Sequence, residues 1–230
     1  MNIESIRKLF ENKKVCLIGP AKNLIGTNEG ENIDKYDLVC RVNSSYIIEK
    51  QLRKDYGSRT DVLFSASNFT VSSAVKNNMK YLKKCKLIIN PNDKDIHGTL
   101  ACDIMNKATN NSIPFYQVDD NFFIKNGGYN TGISSILFIL TLNPEKLYVA
   151  GFDFYKASVN LEENYIFNHE KEYKDDPRNL PKIKKSLLIK GNIKSDYWDN
   201  YQDKIINFFK NNFLNNEKII LHKNVLQILS

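Results

Sequence analysis

Two short stretches carry residue types spaced to hold a phosphate-bearing ligand. In the first, the apolar run Val15-Cys16-Leu17-Ile18 ends at Gly19, and Gly26 and Gly30 punctuate the loop beyond it. Glycine tolerates positive φ and lets a ligand approach the backbone closely. A second apolar run, Asp37 to Asn43, closes the stretch with Arg41 and Asn43 at its end. Polar side chains at the carboxyl ends of strands, beside such a loop, are where open α/β sheets bind ligands. The glycines lack the G-x-G-x-x-G spacing of a dinucleotide site, so an ordinary strand-loop-strand accounts for them equally well. In the second stretch, Asn130-Thr131-Gly132 opens a run, 132–142, that is apolar nearly all round. Free N–H groups and the helix dipole favour a phosphate there, and Gly127 and Gly128 leave room above it. A plain N-cap at Thr131 explains the same residues without a ligand.

Other reactive side chains are few. There are three histidines and four cysteines. His222 ends the last expected strand and reads as structural, His97 lies in a loop, and His169 lies in a long irregular segment. Asp93-Lys94-Asp95 has the D-x-D form with which many nucleotide-sugar transferases hold Mn²⁺ or Mg²⁺ against a diphosphate. A short acidic loop is the plainer account. Cys16, Cys40, Cys85 and Cys102 lie in or beside apolar segments without C-x-x-C spacing, which predicts buried free thiols rather than a zinc site.

The elements needed to position these residues alternate. Helices are expected over 3–11, 46–54 (closed by Gly57), 71–82, 99–108, 132–142 and 199–211. Strands are expected over 15–18, 37–43, 61–64, 87–90, 113–118, 146–150 and 218–222. Such alternation predicts an α/β, Rossmann-like fold with a mostly parallel sheet and helices on both faces. The length of 230 residues suits one domain spanning 1–230.

A hydrophobic content of 42% with 26% charged residues is that of a soluble globular protein. No apolar run is long enough to span a membrane. The first fourteen residues read as a short amphipathic helix rather than a secretion signal, which predicts a cytoplasmic protein. The net charge of +7 invites a nucleic-acid partner. The lysines are scattered and no nucleic-acid motif accompanies them, so that partner is excluded. A basic surface equally suits an acidic glycan, a nucleotide-sugar or anionic lipid. The segment 182–194, KIKKSLLIKGNIK, mixes basic and apolar residues most densely; it suits peripheral contact with the inner face of a membrane, or a solvated face.

The first stretch resembles the long sialylmotif of the eukaryotic-type sialyltransferases. The matching residues are Gly19, Asn23-Leu24, Gly26, Gly30, Ile33-Asp34, Asp37 and Arg41-Val42-Asn43, continuing into Gly57-Ser58-Arg59-Thr60. Pro20 departs from the pattern, which has Asn directly after the first Gly. The second stretch resembles the short sialylmotif. It is also similar to bacterial sialyltransferases of the Campylobacter type, whose strand ends Gly-x-Asp-Phe-Tyr, here Gly151-Phe152-Asp153-Phe154-Tyr155. The resemblance implies the sialyltransferase-type variant of the GT-A glycosyltransferase fold. It implies an inverting transferase that moves an acidic keto-sugar, sialic acid or Kdo, from a CMP-activated donor to a glycan or glycolipid hydroxyl in polysaccharide biosynthesis. Neither a metal ion nor another cofactor is implied.

The same resemblance implies roles. Thr131 and Gly132 would hold the donor phosphate or cytidine, Asn43 the nucleotide, and Gly19, Asn23 and Asn130 the rest of the donor site. Asp153 would order the site or meet the ribose or the acceptor. Inverting transfer needs a base for the acceptor proton and donors for the departing phosphate. The families have a lid with a His and phosphate-binding tyrosines, which implies a lid over 156–195 with His169 as base and Tyr165 and Tyr173 on the phosphate. They also place a His just before the last amphipathic helix, where this chain has Ser195-Asp196-Tyr197-Trp198-Asp199, so Asp196 or Asp199 is the alternative base. Two rival classes stand beside this reading. One is a Rossmann-like transferase using a diphosphate nucleotide and a metal. The other is a non-catalytic nucleotide- or glycan-binding module, which Pro20 and the absent late His would suit.

Overall fold

The computed structural model describes residues 1–46, 48–65, 82, 84–91, 113–119, 122, 130–154 and 195–230, the side chains of 44 and 195–202 excepted. The strands are β1 (Lys14–Ile18), β2 (Leu38–Val42), β3 (Val62–Phe64), β4 (Leu87–Asn90), β5 (Phe115–Gln117), β6 (Lys146–Ala150) and β7 (Ile219–Leu221). They form a sheet in the order β5-β4-β3-β2-β1-β6-β7, and every neighbouring pair is parallel. The expected α/β, Rossmann-like architecture is therefore observed, with a sheet that is parallel throughout the described residues.

The helices are α1 (Ile3–Phe10), α2 (Gly30–Asp34), α3 (Arg53–Tyr56), α4 (Thr131–Thr141), α5 (Ser195–Phe213) and α6 (Lys223–Leu229). Strand side chains alternate between faces, and both faces are buried. On one face Val15, Leu17, Cys40, Leu147 and Val149 meet Ile6 and Phe10 of α1, Ile133 and Ile136 of α4, and Ile205 and Phe209 of α5. On the other, Cys16, Ile18, Val39 and Ala150 meet Leu24, Ile33, Ile48 and Tyr56. Each large side chain so buried contributes about 1.5–3 kcal/mol. Double coverage explains why the central strands read as continuous apolar runs rather than alternating ones. The thiols of Cys16, Cys40 and Cys85 are buried and free, and burial holds their pKa values above the ordinary thiol range.

Three local expectations differ from the structure. The helix expected over 46–54 is broken into 3-10 turns at Asn43–Tyr46 and Lys50–Leu52 followed by α3. Tyr46, Ile48 and Tyr56 are all buried, and residues two apart cannot share one helical face. The segment of spaced glycines contains α2. Gly26 has the expected positive φ, but Gly30 serves contact: a Cβ there would lie 2.0 Å from the Arg53 carbonyl oxygen of α3. The third difference is α6, whose Val225 and Leu229, four apart, are buried. The expected helices over 71–82 and 99–108 lie outside the described residues, Leu82 excepted.

His222 is structural, as expected. It caps α6 with Nδ1 accepting from Asn224 N–H at 3.3 Å, is 5% exposed, and meets the Tyr148 ring edge-on. Burial lowers its pKa below the ordinary value of 6.5. The folded state therefore binds its proton less tightly than the unfolded chain, and stability contributed here falls as pH drops below the unfolded value. The thermal midpoint should decline more steeply from pH 7.5 to 5.5 in the wild type than in His222→Asn, which keeps a capping acceptor and removes the titration. Parallel declines in a scanning-fluorimetry pH series would refute this.

Candidate functional site

The strand order decides where a ligand fits. From β1 the chain steps outward through β2, β3, β4 and β5, then returns to place β6 on the other side of β1. The carboxyl ends of β1 and β6 thus lead away in opposite directions, which opens a crevice at the switch point of a doubly wound sheet. An open cavity lies there. Its walls are Pro20 and Ala21 after β1, Val42 and Asn43 at the end of β2, Asn130 to Ile133 at the start of α4, and Gly151 to Phe154 after β6.

Two glycines build the junction of β1 and β6. Gly19 N–H donates to Ala150 C=O at 2.9 Å, and Ala21 N–H to Gly151 C=O at 2.9 Å. A Cβ on Gly19 would stand 2.3 Å from the Gly151 oxygen; Gly151, with φ +72°, would stand 2.6 Å from the Gly19 oxygen. The glycine that ends β1 therefore lets two backbones meet. Asn23 stands one layer behind the cavity, where its Nδ2 donates to Phe152 C=O at 2.7 Å. Its backbone carbonyl accepts from Asn224 Nδ2 of α6.

At the start of α4 the cap is Asn130 rather than Thr131: the Asn130 side-chain oxygen accepts from Ile133 N–H at 3.1 Å. Helix geometry leaves the N–H groups of Thr131 and Gly132 without partners in α4 itself. Both residues line the cavity, and the helix dipole makes that end attractive to an anion. Gly132 is also a packing requirement, since a Cβ there would lie 2.6 Å from the Phe152 ring. Two other lining residues, Asn43 and Phe154, have φ of +49° and +53°. Asparagine adopts this region with some ease, whereas a bulky residue does so rarely. The Phe154 ring is held edge-on against Phe209 of α5, with centroids 4.9 Å apart. Asp153, between two constrained neighbours, is 7% exposed at the cavity wall.

Arg41 does not join this group. Two residues before Asn43, it reaches instead toward α3 and is fully buried. Its Nε donates to Arg59 C=O at 2.8 Å and Thr60 Oγ1 at 3.1 Å, and its Nη2 to Tyr56 C=O at 2.7 Å. Burial lowers its pKa to about 10, so it stays charged at neutral pH. Much of the first motif serves the scaffold in the same way. Asp34 accepts from the N–H groups of Ser58 and Arg59 at 2.8 and 3.0 Å, Asp37 from Lys14 N–H at 2.8 Å, and Asp61 from Val39 N–H at 2.9 Å. Carboxylates that tie distant backbone segments explain why acidic residues recur at the edges of apolar runs.

The structure thus brings Asn43, Asn130, Thr131, Gly132 and Asp153 to one cavity, with Gly19 and Asn23 supporting it. Sequence reasoning passed over Phe152, Phe154 and Ala21 as lining residues; only their contacts reveal them. Asp196 and Asp199 lie in the first turns of α5. His169, Tyr165, Tyr173, His97, the Asp93–Asp95 pair, the basic segment 182–194 and the lid 156–195, apart from Ser195, lie outside the described residues.

The sequence profile of glycosyltransferase family 29 (sialyltransferase) matches residues 8–165, well over half of the chain. That span contains the whole cavity. No curated protein sequence matches the chain. Among solved structures, the chain is similar to a crystal structure of a mammalian sialyltransferase, with 16% identity, 92% of this chain and 69% of that chain covered, and a TM-score of 0.48. A mammalian sialyltransferase in complex with Gal-beta-1-3GalNAc-ortho-nitrophenol is similar at 16% identity over 79% of this chain and 69% of that one, with a TM-score of 0.44. On the family match, the chain belongs to glycosyltransferase family 29, the sialyltransferases.

Proposed function

We propose that this glycosyltransferase moves an acidic keto-sugar, sialic acid or Kdo, from a CMP-activated donor to a hydroxyl of a glycan or glycolipid, with inversion. The observation that carries the reading is the opening of the α4 N-terminus, at Thr131 and Gly132, into the cavity at the β1–β6 switch point. A leaving phosphate gathers negative charge as the bond to the anomeric carbon breaks. Oriented N–H donors in a partly closed site stabilise that charge without reorganising. Asn43, which also lines the cavity, supplies the contact to the nucleotide. The acceptor oxygen forms the new glycosidic bond, its proton goes to His169 or to a carboxylate of α5, and CMP departs. A monophosphate donor treated this way needs neither a metal ion nor another cofactor. The basic segment 182–194 is suited to hold a lipid-linked acceptor at the inner face of an anionic membrane.

A thermal-shift panel of CMP, CDP, UDP and GDP, each with and without Mn²⁺, tests the donor class. CMP at one hundred times its dissociation constant should add about 2.7 kcal/mol, and EDTA should leave this unchanged. Stabilisation by UDP with Mn²⁺ but not by CMP would reject the reading and favour a diphosphate donor. CMP binding without donor turnover would point to the non-catalytic module.

A further inference from the structure

Beside Asn43, where β1 and β2 end, a side chain takes over from backbone pairing. Ser45 is fully buried in the turn after β2. Its hydroxyl oxygen accepts from Val42 N–H at 2.9 Å. Its single proton is shared between the carbonyls of Ile18, at 2.9 Å, and Val42, at 2.8 Å. Ile18 and Val42 are the last residues of adjacent strands. One hydroxyl therefore links the carboxyl ends of β1 and β2 where a direct ladder bond would draw them together. Asn43 lies inside the turn that these bonds close, with φ +49°. A left-handed residue persists only where its surroundings over-determine it.

We infer that Ser45 is a positioning residue of the donor site: it holds Asn43 in the left-handed turn that keeps this residue at the cavity wall. The inference rests on the donor reading above. Without the hydroxyl, Val42 N–H and Ile18 C=O lose a buried partner, and the turn is free to relax toward the right-handed conformation that asparagine prefers. Ser45 itself stays out of contact with the ligand, so its effect on binding must pass through Asn43.

The test is a double-mutant cycle on CMP affinity by calorimetry, using wild type, Ser45→Ala, Asn43→Ala and the double variant, with thermal midpoints beside it. Ser45→Ala should weaken CMP about tenfold, and should weaken it no further once Asn43 is already alanine. That non-additivity marks action through a shared partner. A merely stabilising serine would lower the midpoint in both backgrounds and leave affinity alone. Wild-type affinity in Ser45→Ala, or equal losses in both backgrounds, overturns the inference. If Ser45→Ala does not fold, Ser45→Cys, which keeps the volume and weakens the bonds, should show the same pattern with a smaller loss. A folded wild type that does not bind CMP rejects the donor reading itself and takes this role with it.

Discussion

His169→Ala is expected to slow sugar transfer roughly 100- to 10,000-fold while barely changing CMP affinity. A general base acts on the acceptor proton, so its loss appears in the chemical step and not in the donor complex. Histidine is matched to this task near neutral pH, because it accepts a proton there and returns it without a large energy gap. The competing candidates, Asp196 and Asp199, sit in the first turns of α5. They lie ten and thirteen positions before Phe209, the residue that packs on Phe154 at the cavity, or about 15 to 20 Å along the axis. Asp196→Asn and Asp199→Asn are accordingly expected to keep most of their activity. The transfer rate of the wild type should fall as pH drops through the histidine range, because a protonated ring cannot accept a proton. The assay compares the three variants with CMP-sialic acid and CMP-Kdo as donors. An active histidine variant beside a dead aspartate variant would move the base to α5, and activity in all three would exclude both.

The second large effect is on binding. Asn43→Ala and Thr131→Ala should each weaken CMP by about 1–3 kcal/mol, the range for a bond to a charged or buried group, with the fold retained, although alanine at the left-handed position 43 lowers stability by about 1 kcal/mol. Both residues stand at element ends and line the cavity. Thr131 stands just inside a helix already capped by Asn130, so its removal leaves the α4 cap intact. Asn43→Gly makes a useful companion, because glycine keeps the left-handed backbone and loses only the side chain. If Asn43→Ala and Asn43→Gly lose the same affinity, the contact belongs to the side chain. If Asn43→Gly binds like the wild type, backbone geometry is what matters. Wild-type affinity in both alanine variants would mean that these two side chains are scaffold and that any contact there is made by backbone.

Both expectations reflect how the sequence and the fold divide the information. The apolar runs at 15–18, 38–42, 87–90 and 146–150, buried on both faces, were legible because a central parallel strand leaves no polar alternation to confuse the pattern. The helix at 131–141 was legible for the same reason, since it is apolar nearly all round. The family was legible in the spacing of Gly19, Asp34, Arg41-Val42-Asn43 and Gly151-Phe152-Asp153. The roles within those motifs were not. Arg41 and Asn43 are two residues apart at one strand end, yet one secures Tyr56 to Thr60 behind the sheet and the other lines the cavity. Gly19 and Gly30 resemble ligand-loop glycines in sequence, but the structure uses both for close backbone contacts. Tertiary structure alone decides such matters, because they depend on which carbonyl or ring arrives from a distant segment. Gly151 meets Gly19, Phe152 meets Gly132, and Phe209 meets Phe154. Composition and periodicity report each residue's own preferences. The cavity is set by strand order, which placed β6 beside β1 and put the ends of segments more than a hundred residues apart around one cavity.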